Sequence, residues 1–136
     1  MNPTAGIVID SSVLLDVFTE DATWLTWSQA RLVEAAERGA LVLNAVVIAG
    51  IAPRFSRFED LRESLPSMCM IEAIPLPASF LSGHAHAECR RAGGHRQSVL
   101  PDFLIGAHAA VTGRPLLTRD PNRVASYIPG ADIIAP

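Results

Sequence analysis

Short, almost wholly apolar runs alternate with helix-like patterns along this chain. One run, GIVID, ends at Asp10, and another, PLLT, leads through Arg119 into Asp120. Runs of this length with few polar positions are typical of strands buried on both faces, as in parallel sheets. Strands that alternate with helices indicate βαβ units. The sequence therefore predicts an α/β domain with a mainly parallel sheet.

Glycine, proline and capping residues set the expected limits of these elements. Ser11 or Ser12 should cap the first helix, a break is expected at Pro53, and the second helix should bury Ala30 and Val33 among others. The expected strands are 6–10, 41–43, 68–74, 115–118 and 132–134, and the expected helices are 11–18, 24–38, 46–55, 57–65, 101–111, 122–127 and one from 77 to the glycine pair at 93–94.

Composition limits the class of protein. A length of 136 residues fits one domain, and 49% hydrophobic against 18% charged residues argues against disorder. A net charge of −3 does not predict general binding to nucleic acid. All basic residues are arginine, and most lie from Arg54 onward. Either codon usage or a local phosphate-binding rim explains that bias.

Cysteine use and hydropathy indicate the compartment. Cys69 and Cys89 lack metal-binding spacing, so free thiols in a reducing cytosol are expected. No basic segment precedes the first apolar run, which gives no indication of a targeting signal. The longest apolar stretch, 40–52, contains Asn44 and is shorter than the ~20 residues that span a membrane. We therefore expect a soluble, cytoplasmic protein.

Three aspartates lie where a parallel sheet binds ligands. Asp10 and Asp120 follow strand-like runs, and Asp102 lies in the first turn of an apolar helix. Singly, each fits a turn or a helix start equally well. Together they would repel one another unless a cation intervened, and oxygen ligands select Mg²⁺ or Mn²⁺. Such a site predicts metal-assisted hydrolysis of phosphodiesters.

The segments IVIDSSVLLDVF and LPDFLIGAHAAVTGRPLLTRDPNR resemble the acidic motifs of VapC toxins, which are PIN-domain ribonucleases. The resemblance spans essentially the whole chain. It implies a single PIN-like domain over 1–136, a three-layer α/β/α domain with four to five strands. It also implies an endoribonuclease dependent on Mg²⁺ or Mn²⁺, the toxin of a type II toxin–antitoxin system, and a homodimer inhibited by a VapB-type antitoxin. Structured RNA such as tRNA is the expected substrate.

The resemblance carries roles onto individual residues. It implies that Asp10, Asp102 and Asp120 are metal-binding carboxylates, and that Ser11, Ser12 and Thr118 support the first loop and the Asp120 loop. The functional hypothesis adds, apart from the resemblance, that Arg119 or Arg123 contacts RNA phosphates or the antitoxin.

One catalytic position departs from the family pattern. Where the family has Glu after Val-Val-x-Ala, this chain has Gly50. A glycine inside a helix costs about 1 kcal/mol against alanine, so helix propensity does not explain it. Natural divergence and deliberate detoxification are both open explanations. Either predicts weak metal binding and poor or absent turnover.

Two other functions remain open. The domain could be a catalytically silent module that binds RNA or antitoxin. Phosphoryl-transfer domains also place Asp after the first strand, but this chain has no lysine, and its Ser12 does not fit an Asp-x-Asp motif. Among lesser candidates, Asp16 and Glu20 are expected on a solvated helix face. His108 is expected to be a packed or capping histidine.

Overall fold

The computed structural model of the protein describes residues 5–93 and 99–136. Within them, five parallel strands form one sheet in the order β3-β2-β1-β4-β5. The strands are β1 Ile7–Ile9, β2 Leu41–Leu43, β3 Cys69–Ile71, β4 Leu116–Leu117 and β5 Ile133–Ile134. The helices are α1 Ser11–Phe18, α2 Leu25–Arg38, α3 Ala45–Ile51, α4 Phe58–Ser64, α5 Leu76–Arg91, α6 Leu100–Thr112 and α7 Asn122–Tyr127.

The sheet is the centre of the core. All residues of β1 and β2 are buried, and Val8 of β1 pairs with Val42 on one side and Leu116 on the other. Both faces of these strands must therefore be covered by helices, as in the predicted three-layer α/β/α domain. The prediction of a mainly parallel sheet of four to five strands is confirmed, with five strands, all parallel.

Capping and helix-breaking residues act largely where the sequence predicts. The Asn44 side chain accepts hydrogen bonds from the backbone N–H groups of Val46 and Val47, which caps α3. A 3-10 turn, Ala52–Arg54, replaces the helix at Pro53. Gly113 ends α6 with φ of 70°. The predicted stop at 94 lies outside the described residues.

Two local predictions are wrong. Asp10, not Ser11 or Ser12, is the residue before α1, and no side chain caps that helix. In α2 the predicted burial of Ala30 and Val33 is wrong, because both are exposed, whereas the predicted Leu32 and Ala36 are half-buried against the core. The fully buried residues of α2 are Ser28 and Ala35, and the Ser28 hydroxyl bonds to a buried carboxylate of α1 described below.

The predictions about membrane spans and about the cysteines are tested over residues 5–93 and 99–136. In the described part of the chain, no helix combines the length and apolarity needed to cross a bilayer. Cys69 and Cys89 are not joined in a disulfide there, in agreement with the prediction of thiols. Burial raises the pKa of the Cys69 thiol to about 11, so it stays protonated at neutral pH.

Candidate active site

The three predicted aspartates line one cleft of about 530 Å³. Because β1 and β4 are neighbours, their carboxyl ends bring Asp10 and Asp120 to the same edge of the sheet. The first turn of α6 adds Asp102. The remaining lining residues are Ser11, Ser12, Leu15, Arg119, Asn122 and Arg123. The fold therefore brings together every predicted site residue at this cleft except Gly50 and Thr118, which lie directly beside it.

Two hydroxyl groups hold the Asp10 carboxylate. Ser12 Oγ and Thr118 Oγ1 donate to Asp10 Oδ2 at 2.7 and 2.8 Å. Thr118 is buried, and its Oγ1 also accepts from the backbone N–H of Asp120 at 3.1 Å. One threonine thus fixes both the first and the last aspartate. This agrees with the role in the Asp120 loop that the family resemblance assigns to Thr118, and it extends that role to Asp10.

Asp102 faces an unfavourable electrostatic environment. The residue is exposed overall, but the surrounding side chains remove part of the water from its carboxyl. Loss of water raises the pKa of Asp102 most, the negative charges of Asp10 and Asp120 raise it further, and Arg123 opposes the shift. Asp102 is therefore repelled by the other two carboxylates, and a bound cation would offset that repulsion.

A glycine in α6 brings the opposing arginine close. A Cβ atom built on Gly106 would stand 2.7 Å from Val124 Cγ1, so only glycine lets α7 approach this closely. Arg123 precedes Val124, and Gly106 lies one turn after Asp102. The close packing of α6 and α7 therefore places a positive charge beside Asp102. Sequence reasoning missed this glycine, although small residues within an apolar helix were a visible signal.

Asp16 does not lie on a solvated face, so that prediction is wrong. Its side chain is 2% exposed, and its Oδ2 accepts from Ser28 Oγ at 2.7 Å and from Arg119 Nε at 2.9 Å. A buried carboxylate needs such partners because an unpaired charge is costly to remove from water. The overlooked signal was an aspartate inside the otherwise apolar run LLDVF. Glu20 is exposed, as expected.

Gly50 lies beside the cleft on α3. A Cβ atom added there would stand 3.0 Å from both Cβ and Oγ of Ser11, which lines the cleft. A side chain at position 50 would therefore begin against Ser11, at the entrance to the three aspartates. It would fit only if Ser11 moved by a few tenths of an ångström.

The donor chemistry fits a hard divalent cation that keeps most of its water. Among residues 5–93 and 99–136, no three or more His, Cys, Asp and Glu side chains are grouped so that they could hold one metal ion. Mg²⁺ needs only one or two carboxylates because it retains several water molecules. Asp10, fixed by two hydroxyls, and Asp102, with its raised pKa, are the residues best suited to hold it.

A second polar cluster lies away from the cleft. His108 is fully buried; its Nδ1 accepts from Asn44 Nδ2 at 2.9 Å, and its Nε2 donates to Glu72 Oε1 at 2.7 Å. This tautomer follows because Asn44 already uses its oxygen to cap α3. Arg114 also pairs with Glu72, and together with His108 it lowers the pKa of that carboxyl. The prediction of a packed histidine is confirmed.

Structure comparisons identify the architecture. The chain matches VapBC2 from Rickettsia felis, solved on a promoter DNA fragment, with a TM-score of 0.70, 15% identity, and 95% and 97% of the two chains covered. It matches a toxin–antitoxin complex from Klebsiella pneumoniae with a TM-score of 0.68, 20% identity, and 95% and 96% covered. The chain has the VapC fold.

A third match with this fold is a toxin that cleaves a defined target. VapC20 from Mycobacterium tuberculosis, a toxin described as cleaving the sarcin–ricin loop, aligns with a TM-score of 0.61, 15% identity, and 89% and 95% of the two chains covered. No protein-family model matches the sequence, and no curated protein matches it as a relative. At these identities the likeness to VapC structures concerns the fold, and the predicted PIN-like fold is confirmed.

Proposed function

We propose that this VapC-fold chain is a toxin-type endoribonuclease whose turnover is weakened at Gly50. The observation that carries the proposal is the convergence of Asp10, Asp102 and Asp120 on one cleft. Solved structures of the same fold include a toxin that cleaves the sarcin–ricin loop and several toxin–antitoxin complexes. By analogy, the proposed substrate is structured RNA, and the proposed partners are a VapB-type antitoxin and a second copy of the chain, all in the cytoplasm.

Each aspartate has a distinct part in the proposed reaction. Asp10 and Asp102 would hold Mg²⁺ or Mn²⁺, and Asp120 would orient that ion or a second one. When bound, the cation supplies neutralising charge for the phosphodiester and makes a water molecule easier to deprotonate. Ser12 and Thr118 keep Asp10 Oδ2 in one orientation. Thr118 also anchors the backbone of Asp120, so the two strand ends keep a fixed separation.

The test restores the missing carboxylate. Gly50→Glu is assayed for RNA cleavage with and without Mg²⁺, beside Gly50→Ala as the control for crowding against Ser11. We expect Mg²⁺-dependent cleavage to rise at least tenfold in Gly50→Glu and not in Gly50→Ala. Asp102→Asn in the Gly50→Glu background should abolish the gain. A folded Gly50→Glu variant with no gain in cleavage would contradict the proposal.

A second candidate is a catalytically silent module that binds RNA or antitoxin. The observation in its favour is the tight contact at Gly50, where a side chain has little room unless Ser11 shifts. A calorimetric Mg²⁺ or Mn²⁺ titration of Gly50→Glu separates the two candidates. Metal binding supports the nuclease. A lack of metal binding, with RNA or antitoxin still bound, supports the module.

A further inference from the structure

Arg119 lines the cleft, and two parts of its guanidinium group already contact other residues of the protein. Its Nε donates to Asp16 Oδ2 at 2.9 Å, and its Cζ lies 5.6 Å from the centre of the Trp24 ring. An arginine side chain normally samples many rotamers, and fixing it ordinarily costs conformational entropy at the moment of binding. In this protein the fold has already fixed Arg119.

The groups that hold Arg119 are themselves fixed. Asp16 is buried on α1, and Ser28 Oγ on α2 donates to the same Oδ2 atom that Arg119 contacts. The main chain is fixed as well, because the backbone N–H of Arg119 donates to Ser12 Oγ at 3.3 Å. Ser12 in turn donates to Asp10. The guanidinium therefore has a defined position relative to the three aspartates.

The arrangement leaves one edge of the guanidinium group for a ligand. The Nε edge faces Asp16, and one face lies over Trp24. Within the described ranges, the two Nη groups make no hydrogen bond to another residue. Paired Nη donors match the geometry of phosphate oxygens and bind them in a bidentate manner. A polyanion that enters a cleft with three aspartates also needs a positive charge there.

We propose that Arg119 is a pre-oriented phosphate-binding residue that receives a backbone phosphate of RNA beside the three aspartates. Asp16, Ser28 and Trp24 are its positioning residues. This inference rests on the proposed function, since it names the contact that this cleft makes with RNA. Arg123 differs, because it is exposed and its charge opposes the pKa shift of Asp102. A purely structural salt bridge is the competing explanation for Arg119.

The experiment measures RNA binding without cleavage. A fluorescein-labelled, unstructured RNA of about twelve nucleotides is titrated in EDTA with the full chain, and anisotropy is followed over a range of salt concentrations. The variants are Arg119→Gln, Arg119→Lys and the double variant Asp16→Asn/Arg119→Gln. The double variant keeps the net charge of −3, because it removes one negative and one positive charge. Arg57→Gln, at an exposed position on the segment before α4, is the matched charge control.

Loss of the clamped arginine should weaken RNA binding about tenfold. We expect this for both Arg119→Gln and the double variant, with a log–log salt slope shallower by about 0.7, the value for one phosphate contact on a single strand. Arg119→Lys should restore only part of the affinity, because an ammonium lacks the planar fork. Arg57→Gln should bind as the unaltered chain does. Circular dichroism checks folding, and the double variant decides if Arg119→Gln does not fold.

Asp16→Asn tests the positioning role separately. It raises the net charge by one, so charge counting alone predicts tighter RNA binding. We expect about threefold weaker binding with an unchanged salt slope, because the guanidinium is held less firmly. Tighter binding would overturn the positioning role.

Three results would overturn the phosphate contact. The first is affinity of the double variant equal to that of the unaltered chain, and the second is full affinity in Arg119→Lys. The third is no binding of this RNA by the unaltered chain. The proposed function is judged separately, by Mg²⁺-dependent cleavage of structured RNA in Gly50→Glu, so its failure can be distinguished from the failure of this inference.

Discussion

Glu72 and Asp102 are two carboxylates whose surroundings shift their pKa values in opposite directions. Glu72 lies between Arg114 and His108, and hydrogen bonding to Arg114 lowers its pKa most. Asp102 has lost part of its water and lies near two other aspartates, so its pKa is raised. The first environment stabilises a charge, whereas the second penalises one.

This contrast distinguishes a charge that stabilises the fold from a charge that the proposed function would use. At Glu72 the ion pair and hydrogen bonds connect the residue after β3 to α6 and to Arg114, two residues before β4. At Asp102 the negative charges of Asp10 and Asp120 repel the carboxylate, and a neutral side chain at this position would remove that repulsion. Uncompensated repulsion of this kind is common where a ligand supplies the missing charge. Four predictions test the contrast, from the largest expected effect to the smallest.

Glu72→Gln should destabilise the protein by about 2 kcal/mol. The side chain keeps its shape but loses the charge that faces Arg114, and hydrogen bonds to charged groups contribute about 1.5–3 kcal/mol. Urea denaturation at pH 7 measures the change. The exposed Glu59→Gln, which breaks only a surface pair with Arg57, is the control and should change stability by less than about 0.5 kcal/mol. Equal effects of the two substitutions would remove the contrast.

Gly50→Glu should make stability depend on Mg²⁺. A fourth carboxylate adds repulsion in EDTA, and a bound cation would offset it. At a Mg²⁺ concentration ten times the dissociation constant, the expected gain is about 1.4 kcal/mol. Thermal unfolding with and without Mg²⁺ measures this, and Gly50→Ala should respond no more than the unaltered chain. A Mg²⁺ response of equal size in all three proteins would place the cation elsewhere.

Asp102→Asn should stabilise the metal-free protein slightly. The substitution removes a charge that burial and two aspartates disfavour, but solvent screens much of that repulsion, so the gain should be about 0.5 kcal/mol. Urea denaturation in EDTA checks it, with the cleavage assay expected to show lost activity. A clear loss of stability would mean that Asp102 has a structural partner instead.

The pH dependence of stability should differ in sign at the two sites. The pKa of Glu72 is lowered from 4.5, so its stabilising contribution is complete above pH 4.5 and is lost as pH falls through the lowered pKa. The pKa of Asp102 is raised from 3.8, so stability falls as pH rises from 3.8 through the raised pKa. Denaturation from pH 3 to 7 should therefore show the deficit of Glu72→Gln shrinking in acid. The advantage of Asp102→Asn should grow toward neutral pH, and parallel profiles would contradict both assignments.

Local sequence signals predicted most of the fold because they act over a few residues. The buried run before Asp10 became β1, Asn44 capped α3, and Gly113 ended α6. The cap of α1 was predicted wrongly because Ser12 uses its hydroxyl to hold Asp10 instead. When a side chain has two possible hydrogen-bond partners, only the tertiary structure decides which bond forms.

The candidate site likewise has features that the sequence predicts and features that depend on tertiary packing. The sequence by itself determined that Asp10 and Asp120 follow buried strands and that Asp102 begins a helix, so they would meet if those strands were neighbours. The structure supplies that condition, because β1 pairs with β4. Only the tertiary structure decided that Asp16 is buried against Ser28 and against Arg119, which lies more than a hundred residues further along the chain. Periodicity describes which residues share a helix face, but burial depends on what packs there. The charge of Asp16 is tolerated in the interior because distant residues bring it a partner.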